Sequence, residues 1–312
     1  MTSERLEASV IVALNPHSGD VSELFEAYLQ QTMHSGSFEV IVVDDGVRKD
    51  VGDAFNAHVR ACPTTPVRLV AVTQRGRAAS NNVGVRMARS DLLVFVADDF
   101  IPAPTLVRAH VDFHRHLRSP GVGIGPAFFR ENLRADPFCR WLEDSGRLFG
   151  VPFRIAEQAW PRHFFYVGNA SISRPLFERV GNFDEVFRHD VFDDFEFGVR
   201  LAATGARTHY LPKAVAWHDH PVTLDERARA MRRCGIAARD CEARHVAIRP
   251  WAETVARPVA EHMAAVRRTE EANGRGASTA ARSEHYLALM DLAFAEGYQD
   301  ATTALEEMAG GT

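Results

Sequence analysis

The stretch Leu92-Leu-Val-Phe-Val-Ala-Asp-Asp-Phe-Ile-Pro102 decides the fold of this chain. It begins with five apolar residues, and such an unbroken run is typical of a strand that is buried on both faces in a parallel sheet. Ligands of α/β sheets bind at the carboxyl ends of the strands. Asp98 and Asp99 follow this strand directly, so we expect a binding site there, although an Asp-rich turn without a ligand has the same pattern.

Three further strand–helix pairs precede this strand. The expected strands are residues 9–14, 38–43 and 67–72, and the expected helices are residues 21–31, 51–61 and 78–88. The short connections predict a doubly wound, mostly parallel sheet with right-handed crossovers. The strand at 38–43 is also followed by an acidic pair, Asp44 and Asp45. Two acidic pairs at strand ends indicate a site for a cation or a nucleotide.

The segment from residue 103 to residue 174 is less regular. A helix is expected at 104–117, with His110 and His114 on one face. We interpret this face as exposed, because no third metal ligand lies nearby in the sequence. A strand is expected at 121–129. Aromatic residues then accumulate between 130 and 166 without periodicity, either as cover for the core or as a binding loop.

A third acidic pair, Asp193-Asp194, stands at the head of a predicted helix. The helix dipole and the free N–H groups of the first turn favour negative charge there. N-capping therefore explains the pair as well as a catalytic role does. The strand expected near Val215–Trp217 leads into His218-Asp219-His220.

Beyond Pro221 the chain becomes helical. Thr223 and Glu226 have the spacing of a capping box. The sequence thus predicts a first domain at residues 1–222 and a helical C-terminal extension at residues 223–312. The apolar faces of this extension predict either a lid over the sheet or the interface of a homodimer.

Composition limits the partners and the compartment. The 312 residues carry a net charge of −5, with 46% hydrophobic and 25% charged residues, as in an ordinary soluble protein. This charge gives no reason to expect binding to nucleic acid or to an anionic membrane. The four cysteines lack zinc-site spacing, the N-terminus lacks a signal sequence, and no segment has membrane-spanning length. We therefore expect a cytoplasmic protein.

These motifs, taken in order, resemble the GT-A fold glycosyltransferases of family 2, which are inverting enzymes that use nucleotide-sugar donors. The resemblance runs from about Ser9 to His220. Ile41-Val-Val-Asp-Asp-Gly46 resembles the strand whose acidic end helps to hold the nucleotide base. Val96-Ala-Asp-Asp-Phe100 stands at the position of the metal-binding DxD motif, and Asp193 to Leu201 is similar to the segment that bears the catalytic base.

The resemblance implies a GT-A (Rossmann-like) α/β fold and a metal-dependent transfer from a UDP- or GDP-sugar to a small-molecule or saccharide acceptor. Mn²⁺ or Mg²⁺ would neutralise the diphosphate leaving group. The expected base is Asp194, with Asp193 beside it, and the expected metal ligands are Asp99 and His218. The alternative interpretation of His218 is a histidine that caps the end of a strand. The expected nucleotide contacts are Asn15, Asp44, Asp45, Arg77 and Asp98, and the expected acceptor-side residues are Gly168, Asn169 and Trp160.

The chain departs from the family pattern at three positions. Ala97 replaces the first acidic residue of the DxD motif, Asp193 replaces the more usual glutamate, and Asn81 stands where many members have arginine. Ala97 suggests a catalytically inactive nucleotide-sugar-binding relative, whereas Asp99 and Asp194 favour an active enzyme. The helical tail has no counterpart in the common pattern, so the acceptor cannot be inferred from the resemblance.

Two other classes have a similar layout of strands. A phosphoreceiver domain needs a lysine at a later strand end, but the only later lysine, Lys213, lies beyond the length of such a domain. A sugar-phosphate nucleotidyltransferase would have a glycine-rich basic loop after the first strand, and residues 15–20 contain no lysine or arginine.

Overall fold

The chain forms two compact units, Met1–His220 and Pro221–Thr312, in the computed structural model. The structure describes residues 6–15, 19–73, 75–148, 165–187, 191–244, 252–274 and 277–310. The division falls two residues before the boundary expected from the sequence.

Alternating strands and helices build the first part of the unit Met1–His220. They are β1 (Ala8–Leu14), α1 (Ser22–Leu29), β2 (Phe38–Asp45), α2 (Lys49–Ala61), β3 (Val67–Val72), α3 (Arg77–Met87) and β4 (Leu92–Val96), followed by β5 (Phe100–Pro102) and α4 (Leu106–His116). Every residue of β2 and β4 is buried, as the apolar runs predict for strands covered on both faces.

Short elements make up the second part of this unit. They are β6 (Gly121–Ile124), β7 (Ala127–Phe129), α5 (Glu131–Arg134), α6 (Pro137–Asp144), β8 (Asn169–Ser173), α7 (Arg174–Val180), α8 (Asp193–Ala203), β9 (Arg207–Tyr210) and β10 (Ala216–His218). The prediction of one strand at 121–129 was wrong. The strand breaks at Gly125-Pro126, because proline lacks the N–H that a continuing ladder needs, and β7 joins a different sheet.

The main sheet has seven strands in the order β3-β2-β1-β4-β8-β6-β9. Only β8 runs antiparallel to its neighbours among these strands, so the sheet is mostly parallel, as predicted. A second sheet contains β5, β10 and β7. The chain passes from β1 to β2 on one side, while β4 pairs with β1 on the other. The crevice at this switch of direction lies at the carboxyl ends of β1 and β4, where ligands of such sheets bind.

Aromatic packing attaches α8 to the main sheet. The rings of Phe95, Phe177, Phe183 and Phe197 lie in contact, with centroid distances between 4.7 and 6.0 Å. All four side chains are fully or almost fully buried. Phe197 belongs to α8 and Phe95 belongs to β4, so this cluster holds the first turn of α8 near the carboxyl end of β4.

The unit Pro221–Thr312 contains α9 (Leu224–Ala243), α10 (Ala252–Ala256), α11 (Val259–Ala272) and α12 (Thr279–Gly310). The predicted capping box is confirmed, because the Thr223 side chain accepts from Glu226 N–H while the Glu226 carboxylate accepts from Thr223 N–H. Helices α9 and α12 approach closely at Gly235 and Gly297, where a Cβ atom would collide with the backbone of the facing helix. No helix among the described residues is both long and apolar enough to cross a membrane.

Candidate active site

The acidic pair after β4 joins two strand ends and faces two histidines. The Asp98 carboxylate accepts from Asn15 N–H at 2.8 Å, which ties the end of β4 to the end of β1. The Asp99 side chain keeps 36% of its surface exposed and has its Oδ2 3.4 Å from His218 Nε2. The two neighbouring carboxylates therefore have different surroundings.

Asp99, His218 and His220 form a candidate metal centre. One ligand atom from each lies within 4.8 Å of the others. His218 Nδ1 lies 3.0 Å from the carbonyl oxygen of His220, which can only accept a hydrogen bond. In the neutral ring Nδ1 therefore carries the proton, and the lone pair of Nε2 points toward Asp99. Such orientation of a ring by its second nitrogen is the usual arrangement of histidine metal ligands.

The charge on Asp99 suits a divalent cation. Burial tends to raise the pKa of this carboxyl, but the positive charge that His218 and His220 carry when protonated outweighs burial and holds the pKa below its ordinary value. The sequence prediction named Asp99 and His218 and missed His220. The spacing His-x-His was visible, but an extended strand would place the two rings on the same face only if it continued. The strand ends at His218, and the following turn brings the second ring to 4.2 Å from the first.

Asp193 is buried against an arginine. Its side chain has no exposed surface, and the Arg77 guanidinium donates to both of its oxygens through Nε, at 3.2 Å, and Nη2. Arg77 is the first residue of α3, directly after Gly76, whose φ of 84° suits glycine. A forked arginine–carboxylate pair is a strong and geometrically specific contact. Arg77, predicted to lie near the nucleotide, is thus committed to Asp193 in this structure.

Asp194 has a different environment from its neighbour. Burial and the Asp193 charge raise its pKa, while Arg77 and the N–H groups of Phe195 and Val167 lower it, and the net result is a pKa of about 6. The side chain keeps 18% of its surface exposed and lies 3.7 Å from Arg77 Nη2. A partly open carboxyl with a pKa near neutrality suits a general base.

The N-cap explanation of the pair is wrong. The N-cap of α8 is Phe192, which has a left-handed backbone with φ of 69°, and both aspartates lie inside the first turn. A non-glycine residue in this conformation costs on the order of 1–3 kcal/mol, and such residues concentrate at functional sites. The buried Phe192 ring packs 5.3 Å from the ring of Phe195.

One turn connects the carboxylates of α8 with those after β4. Val167 N–H stabilises the ionised form of Asp194. The next residue, Gly168, accepts from Ala97 N–H at 2.9 Å, immediately before Asp98. A Cβ atom on Gly168 would collide with the ring of Tyr166. The turn at Val167–Gly168 thus brings the two acidic pairs to one edge of the sheet.

The acidic pair at the end of β2 faces the protein itself. The Asp45 carboxylate accepts from the N–H groups of Arg75 and Gly76, each at 2.7 Å. Asp44 accepts from Arg48 N–H at 2.7 Å. Both aspartates are 2% exposed. They therefore shape the loops beside the strand ends, and their predicted contact with a nucleotide stays a prediction.

Two of the residues predicted to lie on the acceptor side are Asn169 and Trp160. Asn169 is fully buried and donates to the carbonyl oxygens of Pro126, at 3.1 Å, and Ala214, at 2.7 Å. This geometry gives Asn169 a structural role, and its predicted contact with an acceptor stays a prediction. Trp160 lies outside the described residues.

The expectation that His110 and His114 form an exposed face was wrong. His110 is fully buried, and its ring bonds Asn169 and Ser171, while His114 is partly buried and bonds Ser171. The pattern misled because a polar side chain in the core looks like a surface residue until its partners on β8 are known.

Comparison with known proteins agrees with this geometry. The family model described as "Glycosyltransferase like family 2" matches residues 8–237. A hyaluronan synthase from Pasteurella multocida is 24% identical over 68% of this chain and 24% of its own length. The chain thus spans about a quarter of the length of this synthase, and it spans 51% of the length of a validoxylamine A glucosyltransferase from Streptomyces hygroscopicus subsp. jinggangensis, which is 24% identical over 63% of this chain.

Solved structures share the fold. The mannosyltransferase PcManGT from Pyrobaculum calidifontis, in complex with GDP-Man and Mn²⁺, is 20% identical with a TM-score of 0.57, over 99% of this chain and 76% of that chain. S. aureus TarS 1-349, in complex with UDP, is 14% identical with a TM-score of 0.52, over 94% of this chain and 91% of that chain. These likenesses identify the large, mostly parallel sheet flanked by helices as a GT-A fold.

Proposed function

The chain belongs to the glycosyltransferase-like family 2, and on that premise we propose that it transfers a sugar from a nucleoside-diphosphate sugar to an acceptor hydroxyl with inversion, by direct displacement and with a divalent metal ion. The observation that carries the proposal is that Asp193 and Asp194, although adjacent, have different partners and different exposure. The first is neutralised by Arg77, and the second is partly open with a pKa of about 6. Both lie at the sheet edge that bears Asp99.

The residues Asp99, His218 and His220 fit a divalent ion. A carboxylate oxygen and two imidazole nitrogens form a donor set that favours Mn²⁺ over Mg²⁺, which prefers oxygen ligands. When bound, the ion neutralises the negative charge that develops on the diphosphate leaving group. Ala97 at the first position of the motif does not remove this set, because none of the three ligands depends on it. The Mn²⁺ named with PcManGT supports the same choice.

Asp194 is the base in this proposal. Direct displacement requires one carboxylate to take the proton of the acceptor hydroxyl. The hydroxyl oxygen attacks the anomeric carbon at the same time, and the nucleoside diphosphate leaves from the opposite face. With a pKa of about 6, Asp194 is ionised at neutral pH and still has affinity for a proton. Arg77 binds both oxygens of Asp193, so the partly exposed Asp194 is the carboxyl that can take the incoming proton.

The donor nucleotide is placed over the ends of β1 and β2. Asn15 and Asp98 border the crevice between β1 and β4, and Asp44 and Asp45 hold the loops on its other side. Neighbouring structures were solved with GDP-Man and with UDP, so a UDP- or GDP-sugar is the proposed donor class. The acceptor is a saccharide or a small molecule that approaches beside Gly168. The C-terminal helices are proposed to form the interface of a homodimer.

The test is a panel of UDP- and GDP-sugars with Mn²⁺, assayed for release of the nucleoside diphosphate. Asp99→Ala is expected to abolish the response to the metal, and the anomeric proton coupling of a product would report inversion. Donor binding without any release would indicate an inactive relative. Formation of a nucleotide sugar from a sugar phosphate and a nucleoside triphosphate would indicate a nucleotidyltransferase.

A further inference from the structure

A chain of buried polar side chains runs from α4 across β8 in the unit Met1–His220. His114 Nε2 lies 2.9 Å from Ser171 Oγ, Ser171 Oγ lies 2.8 Å from His110 Nδ1, and His110 Nε2 lies 3.0 Å from Asn169 Oδ1. Ser171, His110 and Asn169 have no exposed surface. The proposed chemistry uses none of the four side chains, so their burial has another cause.

The direction of each hydrogen bond among these four side chains can be deduced. Both hydrogens of the Asn169 amide are donated to carbonyl oxygens, of Pro126 and Ala214, so Asn169 Oδ1 can only accept. His110 Nε2 therefore carries a proton. Burial lowers the pKa of His110 to about 4, so the ring is neutral and its Nδ1 accepts from Ser171. Ser171 has only one hydrogen to donate and consequently accepts from His114 Nε2.

Asn169, at one end of this series of hydrogen-bonded side chains, binds backbone groups beside the start of β10, the strand that carries His218. Pro126 O accepts from Asn169 and also from Ala216 N–H at 3.0 Å. Ala214 O, two residues before β10, accepts the other Asn169 hydrogen at 2.7 Å. His218 follows Ala216 by two residues on the same strand. A displacement of Asn169 would therefore displace the strand that places His218 opposite Asp99.

Two glycines of the segment 121–125 leave room for these side chains. A Cβ atom on Gly123 would collide with Leu211 Cδ1 and press on Ser171 Oγ, and a Cβ atom on Gly125 would collide with the Asn169 amide and with Ala214 O. The two positions lie on the same side of the extended segment, because side chains alternate along a strand. The polar side chains thus account for Gly125, and together with Leu211 they account for Gly123.

We propose that His110 is a positioning residue for the metal centre, which acts through Asn169 on the start of β10 and so on His218. The inference rests on the proposed function in that Asp99, His218 and His220 are taken as the metal ligands. Groups that hydrogen-bond a metal ligand directly typically change metal affinity about 10–100-fold when they are removed. His110 is linked to His218 less directly, through Asn169 and the backbone before β10, so the lower end of this range is expected.

Two variants of the full chain separate this role from simple packing. In His110→Gln the amide nitrogen occupies a place near that of Nε2 and can still donate to Asn169. In His110→Asn the shorter amide reaches only the Nδ1 side, toward Ser171. The expected result is a Mn²⁺ affinity about 10-fold weaker in His110→Asn and largely restored in His110→Gln, measured from the EPR signal of free Mn²⁺. His116→Asn, on the exposed side of α4, is the control and should bind Mn²⁺ like the parent.

A measurement without metal keeps this test distinct from that of the proposed function. The ¹⁵N resonances of the His218 ring report its tautomer and its bond to the His220 carbonyl. They are expected to shift in His110→Asn and to stay in place in His110→Gln. Failure of the parent protein to bind Mn²⁺ would count against the proposed metal site, whereas unchanged His218 resonances in a folded His110→Asn would overturn the positioning role. Equal Mn²⁺ affinity in the two variants would overturn it as well.

Discussion

At the end of β2, Asp44 and Asp45 accept hydrogen bonds from backbone N–H groups of adjoining loops, whereas at the start of α8 Asp193 binds a guanidinium and Asp194 stays partly open. Both pairs are two consecutive aspartates at the end of an element. The first pair accepts from three backbone N–H groups, the Arg48 guanidinium lies 3.5 Å from Asp44, and both carboxyls are buried, so we call it the architectural pair. In the second pair a single arginine is shared unequally, and one carboxyl is left with a raised pKa.

This difference indicates that a pair of carboxylates is suited to chemistry when one member is bound by the protein and the other stays partly exposed. Two equal neighbours would repel each other and leave the proton unassigned. Arg77 removes that symmetry by binding both oxygens of Asp193 and only approaching Asp194. The four predictions that follow test the contrast, beginning with the largest expected effect.

Replacing the open carboxyl should have the largest effect. Asp194→Asn removes the proposed base and is expected to lower turnover about 10²–10⁴-fold while donor and metal still bind. Steady-state release of nucleoside diphosphate, with donor affinity measured separately, checks both parts. Asp45→Asn is the matched change in the other pair and should affect turnover at saturating donor far less. Near-normal turnover of Asp194→Asn would remove the catalytic distinction between the two pairs.

Removing the shared arginine should destabilise the fold. Arg77→Gln leaves the buried Asp193 charge without its partner, which typically costs about 3–5 kcal/mol in the free energy of unfolding. Urea denaturation measures the loss, and Arg86→Gln, an exposed arginine of the same helix, should change stability by less than about 0.5 kcal/mol. The double variant Arg77→Gln/Asp193→Asn should recover part of the loss, because the buried charge is gone. A double variant less stable than the single one would contradict the pairing.

Changing the architectural pair should cost less than breaking the ion pair. Asp45→Asn can accept only one of the two N–H groups with its remaining oxygen, so about 1.5–3 kcal/mol of stability should be lost. The loop at Gly76 would loosen and Arg77 would lose part of its orientation. Asp53→Asn, an exposed change in α2, is the control. Equal unfolding midpoints for Asp45→Asn and the parent would show that the two hydrogen bonds contribute little.

The smallest expected effect is the dependence of kcat/KM and of stability on pH. Because Asp194 must be ionised to accept a proton, kcat/KM should fall about tenfold for each pH unit below about 6. The folded-state pKa is raised, so the associated stability is present at low pH and is lost as the pH rises through about 6. Asp194→Asn should therefore unfold at a higher temperature than the parent at pH 8, with a smaller difference at pH 5. A pH–rate profile that stays flat down to pH 5 would argue against Asp194.

Truncation of the C-terminal unit is not a clean test of what its helices do. Removing the residues after Gly274 deletes α12, which packs closely on α9 through Gly297 and Gly235 and on α11 through the contact of His285 with Thr269. Such a truncation would expose the apolar face of α9. A test of the interface is therefore better made with surface substitutions, such as Met263→Glu on the exposed side of α11.

Several features could be predicted because they are local. The alternation of apolar runs and helical spacings located the elements of the parallel half of the sheet to within a few residues, and the capping box at Thr223 was read from two residues. Asp99 and His218 were located because each directly follows or ends a strand. The exposure of the α4 histidines was predicted wrongly, because their partners Ser171 and Asn169 lie on β8, about 60 residues away in the sequence.

The sequence by itself determined the order of the elements, the carboxyl-end position of the acidic pairs and the family, because periodicity and strand-end motifs depend on neighbouring residues. Only the tertiary structure decided which partners each of these aspartates receives. Arg77 and Asp193 are 116 residues apart, and Asp45 reaches a loop about 30 residues away. The tertiary structure likewise brought His220 to Asp99. Burial and long-range ion pairing set the charge of a carboxyl, and neither can be derived from its sequence neighbours.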